Sequence, residues 1–297
     1  MSETIGVIGG SGLYQISSGE EKESVEIDTP YGKPSSSIQR RVISGNEVLF
    51  IARHGKGHVL TPSEVNYKAN IWALKSLGAK WCLGVGAVGS LQENIKPGDI
   101  VIPDQFIDRT KGRDSTFFGK GIVAHVQFAD PFCPVFRKIL SSVATNQVFK
   151  KKKGIHNKAT YVCMEGPAFS TRAESRMYRS WQGSIIGMTA VTEAKLAREA
   201  EISYATLATV TDYDCWRSDS ADVDVAEILA TLAGNSEAAI LIIEKLAKEM
   251  TGEIPSEMAA KALDLAIISN LDNAPAGTLE EMEPILKRTI KARKQQS

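Results

Sequence analysis

Two carboxylates close the apolar run "TLATVTDYD" (206–214): Asp212 and Asp214, with one tyrosine between them. Residues i and i+2 of a strand project to the same face. The pair is therefore expected to aim into one pocket if the strand extends through residue 214. Carboxylates held together disfavour double ionisation and push one pKa up, giving a group that can keep and donate a proton near neutral pH. Such a pair suits a ligand with adjacent acceptor and donor nitrogens, as on the N7 and 6-amino edge of adenine. A second set of residues points to oxyanion binding. "GGSG" (9–12), "GAVGS" (86–90) and "MEGPAFS" (164–170) are small-residue turns of exposed backbone N–H groups, "RHG" (53–55) adds Arg53 and His54, and "GMT" (187–189) adds Thr189. Backbone donors, hydroxyls and one arginine make a pocket for phosphate or sulfate.

Each piece also has a plainer reading. "GGSG" is neither a Walker loop, which needs Gly-Lys-Ser/Thr, nor a full GxGxxG, and "GGSGL" misses the GxSxG elbow by its last glycine. His54 and His58 are spaced like a metal-binding helix pair, but Gly55 and Gly57 argue against a helix and Arg53 would repel a dication, so no metal is expected. The run Lys150–Lys153 reads as a solvated turn, and Trp72 and Trp181, on helical patterns, as core.

The elements that must position these groups alternate along the chain. "TIGVIGG" (4–10), "EVLFIARHG" (47–55), "KWCLGVGAVGS" (80–90), "GDIVIPDQFIDRT" (98–110), "ATYVCMEG" (159–166), "SIIGMTAV" (184–191) and "SYATLATVTDYD" (203–214) read as strands. Helical patterns fall between them: "SEVNYKANIWALKSLG" (63–78) with Ser63 as its cap and Gly78 as its stop, 130–144, 171–181 and 192–200. Strands that are apolar throughout imply a central, buried sheet covered on both faces, and in open α/β sheets ligands sit outside the carboxyl ends of the strands. The expectation is one α/β domain over 1–297, mainly helical from about 224.

Composition excludes several classes. The 297 residues carry 35 basic and 35 acidic side chains, are 43% apolar and 24% charged, and have zero formal net charge. That balance offers no attraction to nucleic acid or anionic membrane, and the apolar runs are strand-sized, too short to span a bilayer. The opening "MSETIGVIGG" lacks a basic segment before a long apolar stretch, so no signal peptide is expected. Cys82, Cys133, Cys163 and Cys215 are scattered without metal spacing and are expected to be reduced thiols of a cytosolic protein.

Taken together, "GVIGGSGLY", "RHGKGHVLTPSEVNYKANIWALKSLG", "GSLQENIKPGDIVIPDQFIDRT", "EGPAFSTRAES" and "TDYDCW" resemble the trimeric purine nucleoside phosphorylase superfamily, and within it the 5′-methylthioadenosine phosphorylases, over residues 4–250. The resemblance implies an α/β fold with a central mixed sheet, a homotrimer, a cytoplasmic or partly nuclear location and no metal or organic cofactor. It implies phosphorolysis of methylthioadenosine to adenine and 5-methylthioribose-1-phosphate, with inorganic phosphate as co-substrate. It places phosphate against Ser11, Arg53, His54, Gly86, Ala87 and Thr189, ribose against Met188, and the adenine edge against Asp212 and Asp214, with Asp212 as the acid at N7. Ser170 stands where relatives acting on 6-oxopurines have a glutamate, which favours 6-aminopurines. His125, from a neighbouring subunit, and Val225 fall at positions lining the 5′-substituent pocket. Three departures stand out: Gly86 replaces a phosphate-binding threonine, Gly187 an asparagine and Thr192 a proline. The first implies weaker phosphate binding and the other two a loop that holds the ribose differently; a broader nucleoside phosphorylase or a nucleoside-binding protein with little turnover stays open.

Overall fold

The computed structural model of the chain describes residues 2–10, 13, 19–148, 153–217 and 225–295. In chain order the strands are β1 (Thr4–Gly9), β2 (Glu20–Val25), β3 (Ile38–Ile43), β4 (Asn46–Ala52), β5 (Trp81–Ser90), β6 (Ile100–Val101), β7 (Gln105–Arg109), β8 (Ile155–His156), β9 (Thr160–Met164), β10 (Ile185–Gly187) and β11 (Ser203–Asp212). The helices are α1 (Tyr67–Ser76), α2 (Pro134–Val148), α3 (Arg172–Ser180), α4 (Ala190–Glu199), α5 (Val225–Glu249), α6 (Glu257–Ala260), α7 (Ala276–Glu281) and α8 (Glu283–Lys294). Among the described residues the strands form one eleven-stranded mixed sheet.

The part that positions the site is a parallel block. β4 pairs with β1, β1 with β5 and β5 with β11, all parallel, so their carboxyl ends share one edge. Alternate residues face opposite cores. Val48 and Phe50 pack with Phe136, Leu140 and Ile242 from α2 and α5, whereas Leu49 and Ile51 pack with Leu74 and Ala197 from α1 and α4. Burial on both faces is why these strands are written in unbroken apolar runs. β5 continues past the block: its register with β11 shifts between Val210 and Asp212, and Gly89 and Ser90 turn to pair antiparallel with β10. The carboxyl end of β10 thereby joins those of the parallel block.

Local structure departs from the sequence pattern in several places. Asn66, not Ser63, caps α1, its Oδ1 accepting from the Ala69 N–H at 3.1 Å. Residues 61–64 are already occupied, because the Glu64 carboxylate accepts from the Thr61 N–H and hydroxyl, and the Ser63 hydroxyl donates to Glu165. The strand expected over 184–191 stops at Gly187, and Thr189 opens α4. The β-like run 98–110 is split by Pro103 into β6 and β7. Trp181 is 41% exposed rather than core, lying beneath the Arg109 guanidinium just past α3. Past α5, the chain folds back: α8 packs on α1, and Trp72 Nε1 donates to the Glu281 carbonyl at 2.9 Å.

Candidate active site

A cavity of about 450 Å³ opens where these strands end, a size suited to a nucleoside-sized ligand. Its walls include Arg53, His54, Gly86, Ala87, Met188, Thr189, Asp212 and Asp214. Two further sequence candidates, Ser170 and His125, are not among its lining residues. Ser170 follows the lining residue Phe169, and its carbonyl accepts from the Cys215 thiol at 3.1 Å. His125 sits on a separate surface ribbon, with its backbone N–H donating to the Ala266 carbonyl at 2.9 Å. Ser11 and the Val225 side chain lie outside the described residues.

The floor of the cavity carries a buried arginine. Arg53 is 2% exposed and held by Glu193, which is fully buried: Nη2 donates to Oε2 at 3.2 Å and Nε to Oε1. Burial alone would pull the guanidinium down, but the charge of Glu193 outweighs it and holds Arg53 above its ordinary value. His54 goes the other way. Burial, then the neighbouring Arg53 charge, pulls it down to about 4. Its Nδ1 faces the Leu60 carbonyl at 2.9 Å, which can only accept, so Nδ1 carries the hydrogen and Nε2 is left as an acceptor. The ring stacks on His58 at 4.5 Å between centroids. Thr189 starts α4 without committing its hydroxyl to the cap, at the positive end of the helix.

The acid wall differs from the strand-alternation picture. The strand ends at Asp212, and Asp214 sits beyond it in a turn with φ +51. The two are joined because Asp212 Oδ1 accepts the Asp214 N–H at 2.7 Å, while Asp212 Oδ2 accepts from the Thr211 hydroxyl at 2.7 Å. A side-chain-to-backbone turn of this kind is a common use of aspartate, and here it puts both carboxyls on the cavity. Asp214 Oδ2 is buried without a hydrogen-bond partner among the described residues. Burial raises the Asp214 pKa, the nearby Ser175 hydroxyl and Cys215 N–H oppose it, and the charge of Asp212 adds a smaller rise. The elevated acid is thus Asp214, and desolvation rather than mutual repulsion is the main cause.

The departures Gly86 and Gly187 have opposite structural meanings. A Cβ on Gly86 would meet only Arg53 Nη1, at 3.8 Å, so the space of the missing side chain is open. Gly86→Thr is expected to lower the phosphate KM about tenfold, the low end of a hydrogen bond to a charged group; an unchanged phosphate KM contradicts this. A Cβ on Gly187 would stand 2.0 Å from the Tyr161 hydroxyl. Gly187 is therefore glycine because Tyr161, itself buried, fills its side-chain space. Gly187→Ala is expected to destabilise by about 1–3 kcal/mol, as overpacking does. Adding Tyr161→Phe should recover part of that loss, and strictly additive melting shifts contradict the contact. Thr192 is buried, with its hydroxyl unpartnered among the described residues, and nothing in the structure explains that choice.

Two side chains that hold cavity-lining residues in place, Glu193 and Arg113, escaped the sequence reading. Glu193 follows a strand end in "TEAK" and looks like an ordinary solvent-facing acid of a helix start. Arg113 props the Met188 loop, its Nη1 donating at 2.9 Å to both the Met188 carbonyl and the Tyr67 hydroxyl, while Nε pairs with Glu165 at 3.0 Å. Neither position carries a local signal. The apolar rim, including Val59, Phe169 and Leu232, was also missed, because such residues are indistinguishable from core in sequence.

A mixed α/β sheet whose strand ends place a buried arginine and an acid pair on one cavity defines a class, and the comparisons agree: residues 4–248 match the phosphorylase superfamily, and the chain belongs to that family. Within it, the likeness runs the length of the chain to S-methyl-5′-thioadenosine phosphorylases. That of Thermosynechococcus vestitus is 50% identical over 98% of this chain and 100% of its own. A methylthioadenosine phosphorylase from an antarctic soil metagenomic library superposes with TM-score 0.91 at 49% identity, over 96% of this chain and 99% of that one. A variant of the adenosine/methylthioadenosine phosphorylase of Schistosoma mansoni, solved with methylthioadenosine, gives TM-score 0.80 at 36% identity, over 85% of this chain and 93% of that one.

Proposed function

We propose that this chain cleaves S-methyl-5′-thioadenosine with inorganic phosphate to give adenine and 5-methylthioribose-1-phosphate. The observation that carries the reading is the meeting of two unlike walls on one cavity, the floor of Arg53, His54, Gly86, Ala87 and Thr189 and the acid pair Asp212 and Asp214. In this reading a phosphate oxygen forms the bond to C1′ as the C1′–N9 bond breaks, and its electron pair passes to the base. Asp212 faces N7 and Asp214 the 6-amino edge. A proton given by Asp212 neutralises the base at N7 as it leaves, an effect typically worth ~10²–10⁴-fold, and burial raises the pKa of its neighbour Asp214. The bound phosphate also stabilises the cationic sugar electrostatically. Neutral His54 accepts the hydrogen of hydrogen phosphate through Nε2, Met188 backs the ribose, and Ser170 leaves the purine 6-position free of a competing carboxylate. No step calls for a metal or an organic cofactor.

The 5′ end is completed by Val225 and by His125 of a neighbouring subunit in a homotrimer. Two features support this: His125 is absent from its own chain's cavity wall, and the ribbon carrying it exposes Leu265 (99%), Ile268 (69%) and Val123 (48%). Sedimentation velocity is expected to find three copies of the 32.2 kDa chain, and a monomer contradicts this arrangement. The full span 1–297 works as one unit in purine and methionine salvage, in the cytoplasm; among the described residues no helix is long and apolar enough to cross a membrane.

The Schistosoma neighbour favours keeping a second reading, a broader 6-aminopurine nucleoside phosphorylase that also takes adenosine. Comparing kcat/KM for methylthioadenosine, adenosine and inosine separates the two. A strong preference for methylthioadenosine supports the first reading, parity with adenosine the second, and turnover of inosine alone contradicts both.

A further inference from the structure

We propose that Tyr204 is a positioning residue for phosphate, acting through Glu193 on the guanidinium hydrogen of Arg53 that is left without an acceptor among the described residues. The inference rests on the reading of Arg53 as a phosphate ligand. Arginine has five N–H donors, and four of them are committed among the described residues. Nε and Nη2 donate to Glu193, Nη2 also to the Ile8 carbonyl at 3.0 Å, and Nη1 to the Val85 carbonyl at 2.9 Å. The fifth hydrogen is on Nη1, the atom that a side chain at Gly86 on the cavity wall would first approach. A guanidinium fixed at four points cannot turn toward an incoming anion, so its aim is set in advance by its partners.

Glu193 is the partner that can be displaced, because the other two acceptors are strand backbone. Its Oε2 accepts from the Tyr204 hydroxyl at 2.7 Å, and the Tyr204 oxygen in turn accepts from the Thr206 hydroxyl at 3.1 Å. This chain of bonds passes through β5 at Gly84, where a Cβ would stand 2.2 Å from the Tyr204 oxygen and 2.8 Å from Glu193 Oε2. Gly84 is a glycine because the hydroxyl and carboxylate occupy its side-chain space. Arg53, Glu193, Tyr204 and Thr206 are all buried, and of the four only Arg53 lines the cavity, so the hydrogen-bonded route from the other three to a ligand runs through it. In such a low-dielectric site each bond is stronger than at the surface. Sub-ångström aim matters there, since a 1 Å misplacement can cost about a hundredfold in rate.

Calorimetric titration of the full chain with inorganic phosphate, and separately with adenine, tests the relay. Tyr204→Phe is expected to weaken phosphate binding roughly tenfold while adenine affinity stays within about twofold. An unchanged phosphate affinity overturns the proposal, and so does a parallel loss of both ligands, which is what a merely structural role gives. Should Tyr204→Phe not fold, the milder Thr206→Val decides: a smaller loss for phosphate alone supports the relay, and no change overturns it. Arg53→Lys separates the two layers of the argument. If phosphate affinity survives that change, the reading of Arg53 falls and the relay with it. If it is lost in Arg53→Lys but kept in Tyr204→Phe, only the relay falls.

Discussion

Asp212→Ala is expected to slow phosphate-dependent adenine release by ~10²–10⁴-fold, the usual worth of a positioned proton donor, with inorganic phosphate still bound. The loss should concentrate in kcat, because base protonation develops only in the transition state. The neighbouring position carries a second, opposite signature. Burial raises the Asp214 pKa above its unfolded value. A raised acid contributes stability that is fully present below the unfolded pKa and lost as pH rises through the folded one. At neutral pH, Asp214 therefore burdens the fold, and Asp214→Asn is expected to raise the melting temperature there while lowering turnover. The gain should shrink as pH falls toward the ordinary carboxylate range. Equal melting curves at neutral and acid pH contradict this, as does an Asp212→Ala variant that releases adenine at the wild-type rate.

Arg53→Met is expected to produce the largest loss of stability, about 3–5 kcal/mol, because it leaves the fully buried Glu193 without its counter-charge. Denaturant unfolding measures it. The double variant Arg53→Met with Glu193→Leu should regain most of that stability, since an apolar pair of similar volume carries no uncompensated charge. It should bind no phosphate. A double variant as unstable as the single one refutes the charge argument, and a double variant that still binds phosphate removes Arg53 from the floor. His54 modulates the same region: its folded pKa of about 4 lies below the unfolded value, so its contribution is present above pH 6.5 and lost as pH falls through about 4.

What the sequence displayed was chemistry that acts locally. Turn residues at strand ends, the Arg53–His54 pair and the two aspartates announce themselves because glycine-rich turns and terminal polar groups are set by neighbours in the chain. The alternation of strands and helices was equally visible, since burial on both faces demands unbroken apolar runs. What stayed hidden was long-range. Glu193 lies 140 positions from the arginine it neutralises, and no periodicity links them. The Tyr161 hydroxyl occupies the side-chain space of Gly187 from an adjacent strand, so the glycine looked like a lost asparagine rather than a close contact. Asp214 reached the cavity through an aspartate turn rather than strand alternation, giving the expected neighbours for a different geometric reason.

The decisive measurement is the yield of adenine from methylthioadenosine as inorganic phosphate is varied, with the sugar product followed by phosphorus NMR. Adenine should appear only when phosphate is supplied, matched one for one by a new sugar-phosphate resonance. Adenine formed at an undiminished rate in phosphate-free buffer, with free methylthioribose as its partner, would show that the oxyanion floor does not hold the nucleophile.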